Sequence, residues 1–199
     1  MLTNPITNRK SRSSALVMLA APVFLLANAS APLTFALDSS ASSVSAKVPF
    51  LGLGSKTAKF PKMNGTVSIV PDAPQRARIN VTFDARQLEA PDSTTLSRLR
   101  GEKFFWVEKY PTIRFVGNSL KMKNAKTGTV RGKLTARGVT RDETLEVTFD
   151  QAPTTAPAGT AVAFTGDMTI DRRQYGMKSY QLIVGNKVKI SLRARMVPN

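Results

Sequence analysis

Apolar and polar residues alternate along most of the chain. Val44, Ala46, Val48 and Phe50 interleave with Ser43, Ser45, Lys47 and Pro49, the period of two that turns one strand face into a core. The same phase recurs in Ile79, Val81 and Phe83, in Leu145, Val147 and Phe149, and in Val162, Phe164, Gly166, Met168 and Ile170. The last strand is the cleanest. Val188, Ile190, Leu192, Ala194 and Met196 point one way, and Lys187, Lys189, Ser191, Arg193 and Arg195 the other. Asn64-Gly65, two residues that tolerate positive φ, predicts a hairpin opening a strand over 66–70, which Pro71 and Pro74 end. Strands over 112–123 and 129–137 flank a turn at 124–128, Arg137-Gly138 is a further turn, and 152–159 is a Pro/Thr/Ala loop. Strands of similar length joined by short turns, without a fixed repeat, predict one all-β domain closing as a meandering antiparallel barrel.

One stretch breaks the alternation. In 93–115, STTLSRLRGEKFFWVEKYPTIRF, Leu96 and Leu99 recur at helical distance, and Asp92 or Ser93 can cap the start. Arg98 and Arg100 suit the negative end of a helix, and Gly101 stops it. Phe104, Phe105 and the single tryptophan, Trp106, form an aromatic turn before Tyr110-Pro111 returns the chain to extended geometry. In a barrel this insertion predicts one short helix capping an end of the interior. Three aromatics plugging a core would give the same spacing.

Residues 1–29 read as an export signal rather than as fold. Arg9, Lys10 and Arg12 are basic, a thirteen-residue apolar run follows from Ala15 to Ala27, and Ala27-Asn28-Ala29 offers small residues for cleavage. The run is short against the about 20 residues of a spanning helix. The expectation is a periplasmic protein with its mature domain over 30–199, an uncleaved anchor being the lesser reading. Removing the three basic residues takes the net charge from +16 to +13.

Composition narrows the chemistry. There is no cysteine and no histidine, which removes thiol nucleophiles, histidine-based triads and the usual zinc or copper ligand sets. The thirteen carboxylates are scattered, and pairs such as Glu102 with Glu108 or Asp142 with Glu143 read as solvated loop charges. No GxSxG elbow, phosphate-binding glycine loop or acidic calcium loop is present. The expectation is a protein that is not an enzyme and carries no metal or cofactor. The positive charge raises nucleic acid as a partner, but an export signal and the lack of an aromatic-rich basic motif argue against it. Outward lysines and arginines solvate a barrel and discourage edge pairing. Gly132 and Gly166, on apolar phases, lean slightly towards space inside, although a glycine in a strand more often marks a bend or bulge.

The residues then resemble a known family. The stretch 104–115, FFWVEKYPTIRF, is similar to the F…KYP…F signature of the YceI-like family. LTARGVT at 134–140 resembles its LT-x-x-GVT hairpin, IDRRQYGM at 170–177 its IDR…GM loop, and VGNKV at 184–188 its VG(D/N)-x-V turn. Ala36-Leu37-Asp38 and Asn64-Gly65-Thr66 fall where the family has its opening Asp and its F-x-G turn. The resemblance implies an extended, lipocalin-like, eight-stranded antiparallel barrel, exported to the periplasm. It implies a long cavity holding a polyisoprenoid or quinone-like lipid without catalysis. The chain departs from the pattern at Phe50, where a histidine is usual, at the run Leu96-Ser97-Arg98-Leu99-Arg100, and at Lys103 and Gln174, where acidic residues are usual. The head-group end is thereby more positive.

Two functions follow as expectations. In the first, a periplasmic carrier holds an isoprenoid or other long-chain amphiphile, its tail among Phe50, Phe60, Phe83, Leu99, Phe104, Phe105, Phe115 and Phe164, with Arg98 and Lys103 at the head group. In the second, a basic exterior binds anionic lipid or polymer around a filled core. Peripheral contact with an anionic membrane and homodimerisation both stay open. The signal pattern predicts cleavage after Ala29, which N-terminal sequencing of the exported protein checks. A mature form retaining residues 1–29 would make this a membrane-anchored domain.

Overall fold

The computed structural model describes Met1 and residues 30–157 and 159–199. The export signal expected over 1–29 lies, Met1 apart, outside the described residues. Ten strands make one antiparallel sheet: β1 (Leu33–Leu37), β2 (Ser43–Phe50), β3 (Gly54–Phe60), β4 (Asn64–Ile69), β5 (Arg78–Asp84), β6 (Thr112–Met122), β7 (Thr127–Ala136), β8 (Val139–Phe149), β9 (Val162–Asp171) and β10 (Lys187–Pro198). β10 pairs with β9 along one edge and with β2 and then β1 along the other. The order β1-β4-β5-β6-β7-β8-β9-β10 thus returns to β1 and closes an eight-strand barrel, as the resemblance implied.

The ring is a simple up-and-down meander once two breaks are recognised. β1 and β2 run the same way along β10, and β3 and β4 run together opposite them, so each pair is one long interrupted strand. Asp38 makes the first break. Its carboxylate accepts the Ser40 hydroxyl (2.6 Å), the Ser40 N–H (3.1 Å) and the Ala41 N–H (3.2 Å), and meets the Arg195 guanidinium at 3.3 Å. These contacts, the Ser40 hydroxyl foremost, hold the Asp38 carboxyl below its ordinary range. At the second break Pro61 has no N–H to give, and Lys59 just before it pairs with Glu89 through two 2.9 Å backbone bonds.

The hairpin expected at Asn64-Gly65 is not there. Both residues sit inside β4, opposite Thr82 and Val81 of β5. Gly65 serves a close approach instead, since a Cβ on it would lie 2.3 Å from the Asn80 carbonyl oxygen. The turn in this region is at Leu51–Leu53, between β2 and β3, with φ of 53° at Leu51 and 68° at Gly52. Arg137-Gly138 does form the expected two-residue hairpin turn, with φ of 50° and 72°. Asp142 and Glu143, expected in a loop, lie in β8, where Asp142 pairs with Lys133 at 2.9 Å.

Four connections gather at one end of the barrel: 51–53, 85–111, 137–138 and 172–186. Three gather at the other: 70–77, 123–126 and 150–161. The helix α1 (Ser93–Arg100) lies in the longest connection at the first end. The two glycines expected to mark internal space do not do so equally. Gly166 faces inward, but an added Cβ would already meet Leu145 Cδ1 and Leu192 Cγ at 3.1 Å. Gly132 sits at the β6–β7 bulge, where a Cβ would come within 2.5 Å of the Val116 oxygen and 2.8 Å of Gly117 Cα. Backbone, not void, explains that glycine. Gly132→Ala should therefore cost about 1–3 kcal/mol in urea denaturation, while Gly54→Ala, with open space around it, should stay within about 0.5 kcal/mol of the parent. Equal stability of the two variants would contradict the bulge assignment.

Candidate ligand-binding cavity

The inward phase of every strand meets in a single apolar space. Val44, Ala46 and Val48 of β2, Ile79, Val81 and Phe83 of β5, and Val188, Ile190, Leu192 and Met196 of β10 all line it, on the phases that the alternation predicts. Of 36 lining residues only Lys56, Thr57 and Arg172 are polar. The volume is about 170 Å³, below the roughly 300–1,000 Å³ of ordinary small-molecule pockets. A rounded void of that size would touch far fewer side chains, so the space is a long, thin slot. It reaches from Ile69, Leu120 and Met196 at the plain end to Leu99, Phe104 and Val184 at the helix end.

The cap over the helix end is built from local rules. Asp92 is the N-cap of α1, accepting the Thr95 N–H at 2.7 Å, the Thr95 hydroxyl at 2.8 Å and the Lys56 ammonium at 2.9 Å. The Thr95 N–H, then Lys56, hold its carboxyl down at about 2. Gly101 ends the helix by donating to Ser97 and Arg98, at a φ of −73° rather than the left-handed geometry of a usual glycine stop. Phe105 N–H then bonds Leu99 oxygen and Val107 N–H bonds Arg100 oxygen, folding the chain back on the helix end. Phe105 is thereby set edge-on to Phe60 at 5.6 Å, and Phe60 meets Phe83 at 6.1 Å.

Seven of the ten sequence candidates line the slot: Phe60, Phe83, Leu99, Phe104, Phe105, Phe115 and Phe164. Three do not. Phe50 ends β2 where the barrel wall stops, with its ring 5.5 Å from the Lys56 nitrogen. Arg98 and Lys103 are exposed and stand over the Tyr180 ring at 5.8 and 5.3 Å. An apolar wall offers a cation no partner, so both turn outward. Trp106, the last residue of the aromatic turn, lies on the outer side of the cap against Tyr110, with Lys109 at 4.4 Å and Arg137 at 6.0 Å from its ring.

The polar residue that alternation could not single out is Arg172. It is 3% exposed and forms part of the slot wall. Its guanidinium donates to the carbonyls of Gly185 (2.9 Å), Met177 (2.6 Å), Ser179 (2.8 Å) and Val184 (2.9 Å). Four of five N–H groups are so used, and no carboxylate lies within 4 Å among the described residues. Burial accordingly lowers its pKa. The neighbouring Asp171 is held by Arg173 through two bonds, at 2.6 and 3.0 Å, which with Lys187 keep its carboxyl well below the ordinary range. Tyr175, fully buried in the same turn, donates to the Glu143 carboxylate at 2.7 Å, and burial raises its hydroxyl above its usual range. The signal for Arg172 was in the motif IDRRQYGM, not in any periodicity.

Comparison with known proteins agrees with this architecture. A family model described as a YceI-like domain matches residues 35–196. The UPF0312 protein of Pseudomonas savastanoi pv. phaseolicola is 28% identical over 132 residues, 66% of this chain and 69% of the relative. Among solved structures, BcnA of Burkholderia cenocepacia superposes with a TM-score of 0.71 at 23% identity, covering 80% of this chain and 98% of that one. A polyisoprenoid-binding domain from Saccharophagus degradans superposes at 0.65 with 12% identity, covering 84% and 99%. At these identities the two structures speak to fold.

Arg172→Met removes the donors of four carbonyls and should cost more than about 3 kcal/mol, since each buried acceptor left unpaired costs about 1–3 kcal/mol. Urea denaturation checks it. A variant within about 1 kcal/mol of the parent would show that those carbonyls find water instead.

Proposed function

The chain belongs to the YceI-like family, and on that footing we propose that it is a periplasmic, non-catalytic carrier of one long-chain isoprenoid or similar amphiphile. The observation that carries this reading is the slot: 33 of its 36 lining residues are apolar, and it runs between the two ends of the barrel. Burial contributes about 25 cal/mol per Å² of apolar surface, so a long tail binds with few polar contacts. The solved neighbour that is a polyisoprenoid-binding domain supports a lipid as occupant.

The head group belongs at the helix end. All three polar lining residues, Lys56, Thr57 and Arg172, stand there, and Arg172 keeps one N–H beyond its four carbonyl bonds. A carbonyl or other electron-rich oxygen would accept it. Lys56 is already engaged by Asp92 at 2.9 Å, which leaves Arg172 as the main determinant. In this reading Arg98 and Lys103 act outside the slot. The competing reading, a filled core with a binding exterior, is favoured by the basic surface alone.

Native extraction of the exported protein, followed by mass spectrometry, should find a single long-chain amphiphile at about one per chain. Rebinding to stripped protein should persist near 1 M salt, where exterior charge attraction is largely screened. Phe164→Asp, which puts an unpaired charge in the slot wall, should abolish retention. Protein that carries no lipid, and takes up no isoprenoid quinone or polyprenol after stripping, would rule the carrier out.

A further inference from the structure

We infer that the helix end of the barrel docks on an anionic lipid bilayer, with Leu51, Leu53 and Leu182 entering the head-group layer and the surrounding cations meeting lipid phosphates. The inference does not depend on what the slot holds.

The exposed apolar residues carry it. Among the described residues the exposed large apolar side chains are Met1, Leu51, Leu53, Val116, Tyr180 and Leu182, and four of these six share one end. Leu53 is 97% and Leu182 100% exposed, as bare as side chains become on a folded surface. Their turns are neighbours. The Leu51 N–H donates to the Ile183 oxygen at 2.8 Å, and Phe50 bridges Val184. Around Gly52 and Gly54 there is open space, so the first turn projects freely.

The turns are also built against their own local preferences. Leu51 and Tyr180 hold φ of 53° and 57°, positions that glycine, asparagine or aspartate fill at lower cost and with better solvation. Leu51 is 56% exposed and adds nothing to the barrel core.

The charge around the tips has the matching sign. Lys47, Lys187 and Lys189 border Leu53 in a shallow surface groove. Lys47 lies directly opposite Lys189 in the β2–β10 register, an arrangement that destabilises a sheet. Lys187 and Lys189 reach Asp171 and Asp167 only at 3.8 and 3.9 Å. Across the end, Arg98 and Lys103 flank Tyr180, and Lys178 is exposed beside it. Lys47, Arg98, Lys103 and Lys178 have no carboxylate within 4 Å among the described residues. Of the acids at this end, Asp84, Asp92 and Asp171 are tied to cations, while Glu89, Glu102 and Glu108 are exposed, Glu102 next to Lys103 and Glu108 next to Lys109. Apolar tips ringed by lysine and arginine fit a bilayer interface that carries negative charge.

The docked face is also the cap. Tyr180 stacks on Phe104 at 6.0 Å with the rings 8° from parallel, and Phe104 lines the slot. The turn that enters the lipid surface thus touches a residue that closes the cavity.

Sedimentation of the purified protein with vesicles of phosphatidylcholine and phosphatidylglycerol in equal parts tests the inference, with pure phosphatidylcholine as comparison. Binding to the mixed vesicles should be strong, should weaken as salt rises, and should be poor on the neutral ones. Leu53→Glu with Leu182→Glu should weaken it by about tenfold or more, and Lys47→Ser with Lys178→Ser by about 25-fold, near fivefold for each charge. Leu53→Trp should shift its emission to the blue on the mixed vesicles, a readout that survives if the glutamate variant fails to fold. No binding to mixed vesicles, or binding that the folded double glutamate variant keeps in full, would overturn the inference. So would a dimer dissolved by the same pair of substitutions without vesicle binding, because a second copy would then cover the tips. Lipid retained inside the double glutamate variant should match the parent, so failure of docking and failure of the carrier reading remain distinguishable.

Discussion

Strand β10 has no free edge, and the interior depends on that. Ten residue pairs join it to β9, five join it to β2 and three to β1. Because the ladder closes on itself, backbone donors and acceptors of the wall are paired within the wall. The space inside therefore needs no polar group to satisfy the backbone and can stay apolar without being filled. Register is held as tightly as closure. A slip of one residue would turn Lys187, Lys189 and Arg193 inward and Val188, Ile190 and Leu192 out, an exchange no barrel of this width could absorb.

Much of this was legible from the chain because period two is read residue by residue. The inward faces of β2, β5, β8, β9 and β10 follow from alternation alone, and the Asp92 cap and α1 follow from helix-end chemistry. Asn64-Gly65 misled because a glycine can serve a turn or a close approach, and the choice rests on the Asn80 oxygen, fifteen places beyond Gly65 and one strand away. Gly132 could mark space or a bulge, and the bulge is decided by a neighbour on the next strand, the backbone of Val116. Phe50 shared the inward phase of β2, yet it lies where the wall ends. Alternation gives the face of a strand, not how far the barrel extends along it. The cations near the cap could be assigned to a head group or to solvent equally well, because the sequence does not say which of Arg98, Lys103 or Arg172 meets carbonyls.

Arg172 makes the two ends of the slot unlike. Its four carbonyl partners come from a single connection, residues 177–185, so one side chain organises the loop between β9 and β10. Arg137 ties the same end together from the other side, donating to Gly176 and Glu102 from the β7–β8 turn. Among the described residues the plain end has a lighter tie, Lys126 Nζ donating to the Asp150 carbonyl at 2.7 Å between two of its connections. Other bonds there are local, such as those that Asn124 accepts from the Lys126 and Thr127 N–H groups. Order at one end and simple turns at the other give the molecule a direction, and the exposed leucines lie on the ordered side.

The thinness of the slot has a bearing on competition. A wall of 33 apolar residues offers little that could tell one hydrocarbon from another by hydrogen bonding, so it sorts by cross-section. A single hydrocarbon chain needs less width than two side by side, so girth rather than length is the dimension that such a wall would test.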